Sequence, residues 1–250
     1  MKKLSWITGI LTCLMVLLAA LGSVCGAVDQ IATDQNFYGG MSRAAVAKYL
    51  GVEDDPQIST KITEYIGLTD VDQDAFAMDM AAFMAGDSNA LPADILNEKE
   101  QQHMLDVRAL VRAAADMSRT YLTIAVALAV VTAWTAAKLK SRIKPRLIGG
   151  LTAVAVIMVI VQNVINQVAA GGFGELFVQM HEALFANDLW LMNPETDILI
   201  RMMPQALFEQ ALLNGANLAL RMLLIVWILL MAVYEIVSRM IRRHVAKEDK

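Results

Sequence analysis

The run TYLTIAVALAVVTAWTAA, residues 120–137, decides the fold. Its 18 residues carry no charge. As a helix it reaches about 27 Å, close to the roughly 30 Å of a hydrocarbon core. It is followed at once by KLKSRIKPR, residues 138–146, with Lys138, Lys140, Arg142, Lys144 and Arg146. An apolar run that ends in a short cationic loop reads as a transmembrane helix emerging on the cytoplasmic side.

Three further runs resemble it. Leu4–Val24 follows Lys2 and Lys3, Leu147–Gln167 follows the cationic loop, and Asn217–Val237 is broken only by Arg221 and Glu235 near its ends. The chain is 57% hydrophobic with a mean hydropathy of +0.49, too apolar for an ordinary soluble domain. The expected fold is therefore all-α: a polytopic membrane protein with four transmembrane helices and a mainly helical extracytoplasmic domain. The expected segments are helix 1 at 1–27, the outer domain at 28–118 and helix 2 at 119–137. The basic loop follows at 138–146, helix 3 at 147–167, outer helices at 168–216, helix 4 at 217–238 and a cytoplasmic tail at 239–250. The cationic MKK, the loop and RMIRRHVAKEDK all fall on one side, which makes that side cytoplasmic. On the other side, Val28–Met117 has 6 basic against 16 acidic residues, which excludes nucleic acid as a partner.

The first run is read as a retained span and not a cleaved lipoprotein leader, because Val24, which is not small, precedes Cys25. Cys13 and Cys25 lie about 18 Å apart along one helix, too far to pair with each other, and are read as apolar filler.

The outer segments read as short helices. SRAAVAKYLG has Ser42 as a candidate cap and Gly51 as a stop, and STKITEYIG repeats this with Ser59 and Gly67. Asp72–Gly86 carries Phe76, Met80 and Phe83 on one face, a core stripe. Asn97 and Glu100 form a capping-box pattern, and the helix they start has no breaker before the span at 120. In the second outer segment, Asn193-Pro194 reads as another helix start.

Of three histidines, His244 lies in the basic tail and is set aside; His103 and His181 both fall on the outer side. Glu100, His103 and Asp106 share a helix face, so Asp106 is a candidate to fix the imidazole tautomer, with Glu100 and Glu182 as supporting carboxylates. Glu100 has a plainer reading as a helix cap, and Asp106 one as a solvated face. Metal chemistry finds little support. HEALF begins like H-E-x-x-H but places Phe185 where the second ligand belongs, and EQQH stands alone where a di-iron bundle needs it twice. No G-x-S-x-G elbow and no outer Cys-His pair is present, so neither a metal nor another cofactor is expected. Arg119, Asn163, Asn166 and Arg221 lie near the outer ends of spans. Together with Asp188 and Trp190 they are candidates to hold a lipid headgroup or ester. The plainer readings are helix-to-helix amides and arginines that snorkel.

Two segments, EKEQQHMLDV and HEALFANDLWLMNPETDILIRMMPQALF, resemble the two signatures of the lipoprotein intramolecular transacylase (Lit-type) family of bacterial membrane proteins. The matching positions are Glu100, His103, Asp106 and Val107, then His181, Phe185, Trp190, Pro194, Asp197, Leu199, Ile200 and Pro204. Met180 and Leu184 stand where the family has aromatics. The resemblance implies an acyltransferase that moves the sn-2 acyl chain of an S-diacylglyceryl-cysteine lipoprotein to its own α-amine. The two histidines would be catalytic, working at the outer leaflet of the bacterial cytoplasmic membrane. Diacylated lipoproteins would be the substrates and membrane lipids the surroundings, with no obligate protein partner. The alternatives are a metal-dependent membrane hydrolase and a non-catalytic lipid-binding membrane protein.

Overall fold

A computed structural model describes residues 2–89, 91, 92, 94–138, 159, 160, 162–167 and 171–248. Among these residues there are helices and turns and no strand. In chain order they are α1 (Lys2–Ala32), a π-helical turn (Phe37–Met41), α2 (Ser42–Leu50), α3 (Ile58–Ile66) and α4 (Asp70–Ala85). Then follow α5 (Glu98–Lys138), α6 (Phe173–Leu184), α7 (Ile198–Met202) and α8 (Gln205–Glu248). The chain divides into two units. One comprises Met1–Ala27, Ala115–Val164 and Ala216–Lys250; the other Val28–Ala114 and Ile165–Gly215.

Among the described residues, α1, α5 and α8 are each long and apolar enough to cross a membrane. The third expected span, 147–167, and the cationic loop before it fall largely outside the described residues; 159, 160 and 162–167 are helical.

In the first unit the packing is inverted relative to a soluble protein. Ala125, Ala129 and Ala133 of α5 are buried with Met15 and Ala19 of α1 and with Leu223, Trp227, Leu230 and Tyr234 of α8. The residues one position further along α5, Val126, Val130 and Trp134, are exposed. So are Ile10, Leu14, Leu17, Leu21 and Val24 of α1. On α5, small residues inside and large apolar ones outside is the arrangement of a helix surrounded by lipid, where close backbone approach replaces the hydrophobic drive. Gly22 and Gly26 are the tightest points. A Cβ at Gly22 would meet Leu122 at 2.9 Å, and one at Gly26 would meet Met222 at 2.7 Å and Ser118 at 2.9 Å. Ser118 Oγ donates to Gly22 O at 2.8 Å across this contact.

The second unit has an ordinary core. Phe76, Met80, Phe83 and Met84 of α4 are fully buried with Ile66 of α3 and Met202 of α7. The stripe expected on α4 is thus in the core, and burying each of its aromatic side chains stabilises the unit by about 1.5–3 kcal/mol. The stops at Gly51 and Gly67 form as expected, both in the left-handed region.

Three expected helix starts are corrected. Ser42 follows the π turn without a break and its hydroxyl donates to Met202 O of α7. Ser59 lies inside α3 and donates to Asp70 at 2.6 Å. Asn193-Pro194 starts no helix; α7 begins only at Ile198. Asn193 Oδ1 instead accepts from Glu195 N at 3.0 Å, an Asx turn that the same side-chain chemistry favours as readily as a cap.

Candidate active site

His103 and His181 both lie in the second unit. The capping box that starts α5 is formed: Asn97 Oδ1 accepts from Glu100 N at 3.0 Å and Glu100 Oε2 accepts from Asn97 N at 2.8 Å. The box leaves Glu100 Oε1 free to accept from Leu199 N at 2.6 Å. Glu100 is therefore a cap that also reaches the second signature segment. One turn further along α5, His103 is 7% exposed, and its Nδ1 has no hydrogen-bond partner among the described residues.

His181 stands in the last turn of α6 and is also 7% exposed. Its Nδ1 lies 2.7 Å from Phe177 O. A carbonyl only accepts, so Nδ1 carries the hydrogen and the neutral ring keeps its lone pair on Nε2.

The two imidazoles face each other with centroids 6.1 Å apart. Aromatic rings enclose them. Phe185 lies 5.0 Å from His103 and 5.5 Å from His181, while Trp190 and Phe177 lie 5.0 Å and 4.1 Å from His181. In this setting burial holds both imidazoles below their usual pKa. For His103, which precedes the apolar span of α5, the neighbouring His181 and Lys99 add to the fall and Asp106 opposes it. For His181 the Phe177 carbonyl opposes the effect of burial. Both rings are therefore neutral at neutral pH, so each can accept a proton.

The other expected site residues divide. Asp106 does not bond to the His103 ring; its Oδ2 accepts from Asn187 Nδ2 at 3.0 Å, because the loop after α6 brings that amide to the short carboxylate. Glu182, Asp188 and Trp190 come together, with Phe185, Asn187 and Leu191, around a cleft of about 370 Å³. Trp190 and Phe185 are shared between this cleft and the histidine cage. Asn166 is exposed in the same unit. Arg119, Asn163 and Arg221 belong to the first unit and are exposed. Arg119 pairs with Asp116 at 3.1 Å and Asn163 Nδ2 donates to Val159 O at 2.7 Å. Among the described residues no three His, Cys, Asp or Glu side chains gather as a metal site.

The sequence reading missed Lys99 and gave Asp197 no role beyond its signature position. Asp197 is 4% exposed and takes four donors: Asn193 N (2.8 Å), Thr196 Oγ1 (2.9 Å), Asn97 Nδ2 (3.0 Å) and Lys99 Nζ (3.2 Å). Lys99 Nζ also donates to Leu191 O. No local spacing signals these contacts, since Lys99 and Asp197 lie 98 positions apart.

A buried histidine pair in a chain whose α1, α5 and α8 are each long and apolar enough to cross a membrane places the chain among membrane-integral proteins. The chain belongs to the lipoprotein intramolecular transacylase Lit family, whose profile matches residues 10–208 and so includes both histidines. It is an acyltransferase of lipoprotein modification. The fold is that of the membrane-integral Lit from Bacillus cereus. That structure is similar at 18% identity with a TM-score of 0.63, covering 96% of this chain and 99% of that one. Two variants of the same protein, with one histidine replaced by arginine or by alanine, give 17% identity and TM-scores of 0.57 and 0.60. The first covers 97% of this chain and 99% of that one, the second 96% and 97%. Among curated proteins no sequence match is found.

Proposed function

We propose that the chain moves the sn-2 acyl group of an S-diacylglyceryl-cysteine lipoprotein to the α-amine of the same cysteine, using His103 and His181 as its catalytic pair. The product is an N-acyl, S-monoacylglyceryl lipoprotein. The observation that carries this reading is the pair of buried, neutral imidazoles 6.1 Å apart within the family-matched segment.

The α-amine attacks the ester carbonyl as a neutral nucleophile. His181 Nε2 takes the proton that the attacking nitrogen must lose. The same imidazolium then returns it to the glyceryl oxygen as the ester C–O bond breaks, so the protons balance over the cycle. His103, held neutral by burial, hydrogen-bonds the oxyanion of the tetrahedral intermediate from a ring nitrogen. Amine and ester belong to one substrate, so holding them together supplies much of the rate and no acyl-enzyme is needed. The charge asymmetry between segments supports a site on the outer side of the cytoplasmic membrane; a reporter inserted near Asp87 should be outside and one fused after Lys140 inside.

The test is expression of the chain in a bacterial host that lacks lipoprotein N-acylation. Fragmentation mass spectrometry of a lipoprotein N-terminal peptide should show one acyl chain moved from glyceryl oxygen to nitrogen with no change in total mass. An N-terminus that keeps its free amine and both ester-linked chains would overturn the reading.

A further inference from the structure

Four residues at the start of α5 reach the same stretch of the second signature segment. Glu100 accepts from Leu199 N at 2.6 Å, and Asn97 donates to Asp197 at 3.0 Å. Lys99 bridges Asp197, at 3.2 Å, and Leu191 O. Asp106 accepts from Asn187 at 3.0 Å. Positions 97–100 hold 191, 197 and 199, and Asp106 holds 187, so His103 stands between the two fastening points on α5.

This loop also supplies Phe185 and Trp190, the rings that lie against His181 at 5.5 Å and 5.0 Å. Two carboxylates in the fastening are almost completely buried, Glu100 at 1% and Asp197 at 4% exposure, and each is occupied by donors from the other segment or its own turn. A buried carboxylate is costly unless fully hydrogen-bonded, so it is retained where its geometry matters more than the stability an apolar residue would give.

We propose that Lys99, Glu100 and Asp106 on α5, with Asn187 and Asp197 on the loop, form a polar zipper that positions the two histidines against each other; these are positioning residues, and none of them takes part in proton transfer. The inference rests on the function proposed above, and in it Asp106 and Asp197 act together by holding the loop that packs on His181. Both reacting groups lie on one substrate, so the rate is sensitive to the placement of the two imidazoles against it. A displacement of about 1 Å can cost on the order of 10²-fold.

The experiment uses the full-length chain with a synthetic S-diacylglyceryl-cysteine peptide in lipid vesicles. Asp197→Asn and Glu100→Gln are expected to lower the rate at saturating substrate by about 10–100-fold with the Michaelis constant nearly unchanged. A second measurement is independent of activity: diethylpyrocarbonate labelling of each histidine, followed by mass spectrometry. His181 should label several-fold faster in Asp197→Asn at an unchanged thermal midpoint. Should a buried variant fail to fold, the swap at the half-exposed end of the zipper decides. Asn187→Asp alone, which sets two carboxylates against each other, should slow transfer several-fold, and combining it with Asp106→Asn, which restores one donor and one acceptor, should recover most of the rate. A swap no better than the single change, or wild-type transfer and labelling in Asp197→Asn, would overturn the zipper. Wild-type protein that forms no N-acyl product would instead overturn the functional reading, while the labelling comparison would still test the zipper.

Discussion

The two segments that meet at the histidine pair are built on different principles. The first is the start of α5, a 41-residue helix whose hydrogen bonds are local and whose cap is closed by its own Asn97 and Glu100. The second is a 12-residue helix followed by an irregular loop, held by side chains from elsewhere in the unit. Correspondingly, His103 takes its place from the helix that carries it and leaves Nδ1 without a partner among the described residues, whereas His181 is bonded at Nδ1 and packed by three aromatic rings. The contrast teaches how one site obtains two chemically unequal imidazoles. The unpartnered nitrogen of His103 is buried, and the bonded ring of His181 has a fixed tautomer and a single basic nitrogen.

The strongest way to break this comparison is to remove each ring. His103→Ala and His181→Ala should each reduce N-acyl formation by about 10²–10⁴-fold at matched expression. In the proposed mechanism the two act on one intermediate, so the double substitution should be little worse than either single one. Quantitative mass spectrometry of one lipoprotein N-terminus measures this, and near wild-type conversion by either single variant would make that histidine structural.

A smaller effect separates packing from proton transfer. Trp190→Ala removes one ring from His181 and opens a wall of the cleft beside it, and should slow transfer by roughly tenfold, in line with a small misplacement of the base. Trp190→Phe keeps a ring there and should recover most of the loss. Equal rates for the alanine and phenylalanine variants would show that the ring does not hold His181.

The smallest effect sharpens the electrostatic side. With burial pushing both imidazoles below the usual histidine pKa of about 6.5, their base forms predominate at neutral pH. Histidine protonation should then limit the rate only below about pH 6.5. The rate should still rise with pH toward about 8, where the substrate α-amine loses its proton. Replacing the amine by a less basic analogue should move this limb downward. A limb fixed near about 6.5 regardless of the amine would mean that the histidines titrate at their ordinary value.

How far each segment can be read from sequence follows the same division. The charge-free run at 120–137 and the Asn97–Glu100 spacing give α5 its start, its continuity and its apolar part, because helix periodicity and capping are local. The histidine spacing and the family signatures single out His103 and His181, which the fold brings together. The loop is less legible. Asn193-Pro194 has the chemistry of a cap, but an Asx turn uses the same side-chain acceptor, and the contacts that hold this loop fall on Asp197 from Asn97 and Lys99, about a hundred positions away. Ser42 went astray for the same reason: its hydroxyl serves Met202, 160 positions away. Asp106 lies on the expected face, yet its partner is an amide that the loop delivers.

The bond from His181 to Phe177 O joins residues one helical turn apart in α6. The choice of tautomer therefore needs no tertiary partner and is available as soon as α6 winds, a process that takes on the order of a microsecond or less in a free helix. The ring proposed as the base thus carries its tautomer-fixing partner within its own helix, and the contacts between the loop and α5 need only deliver it.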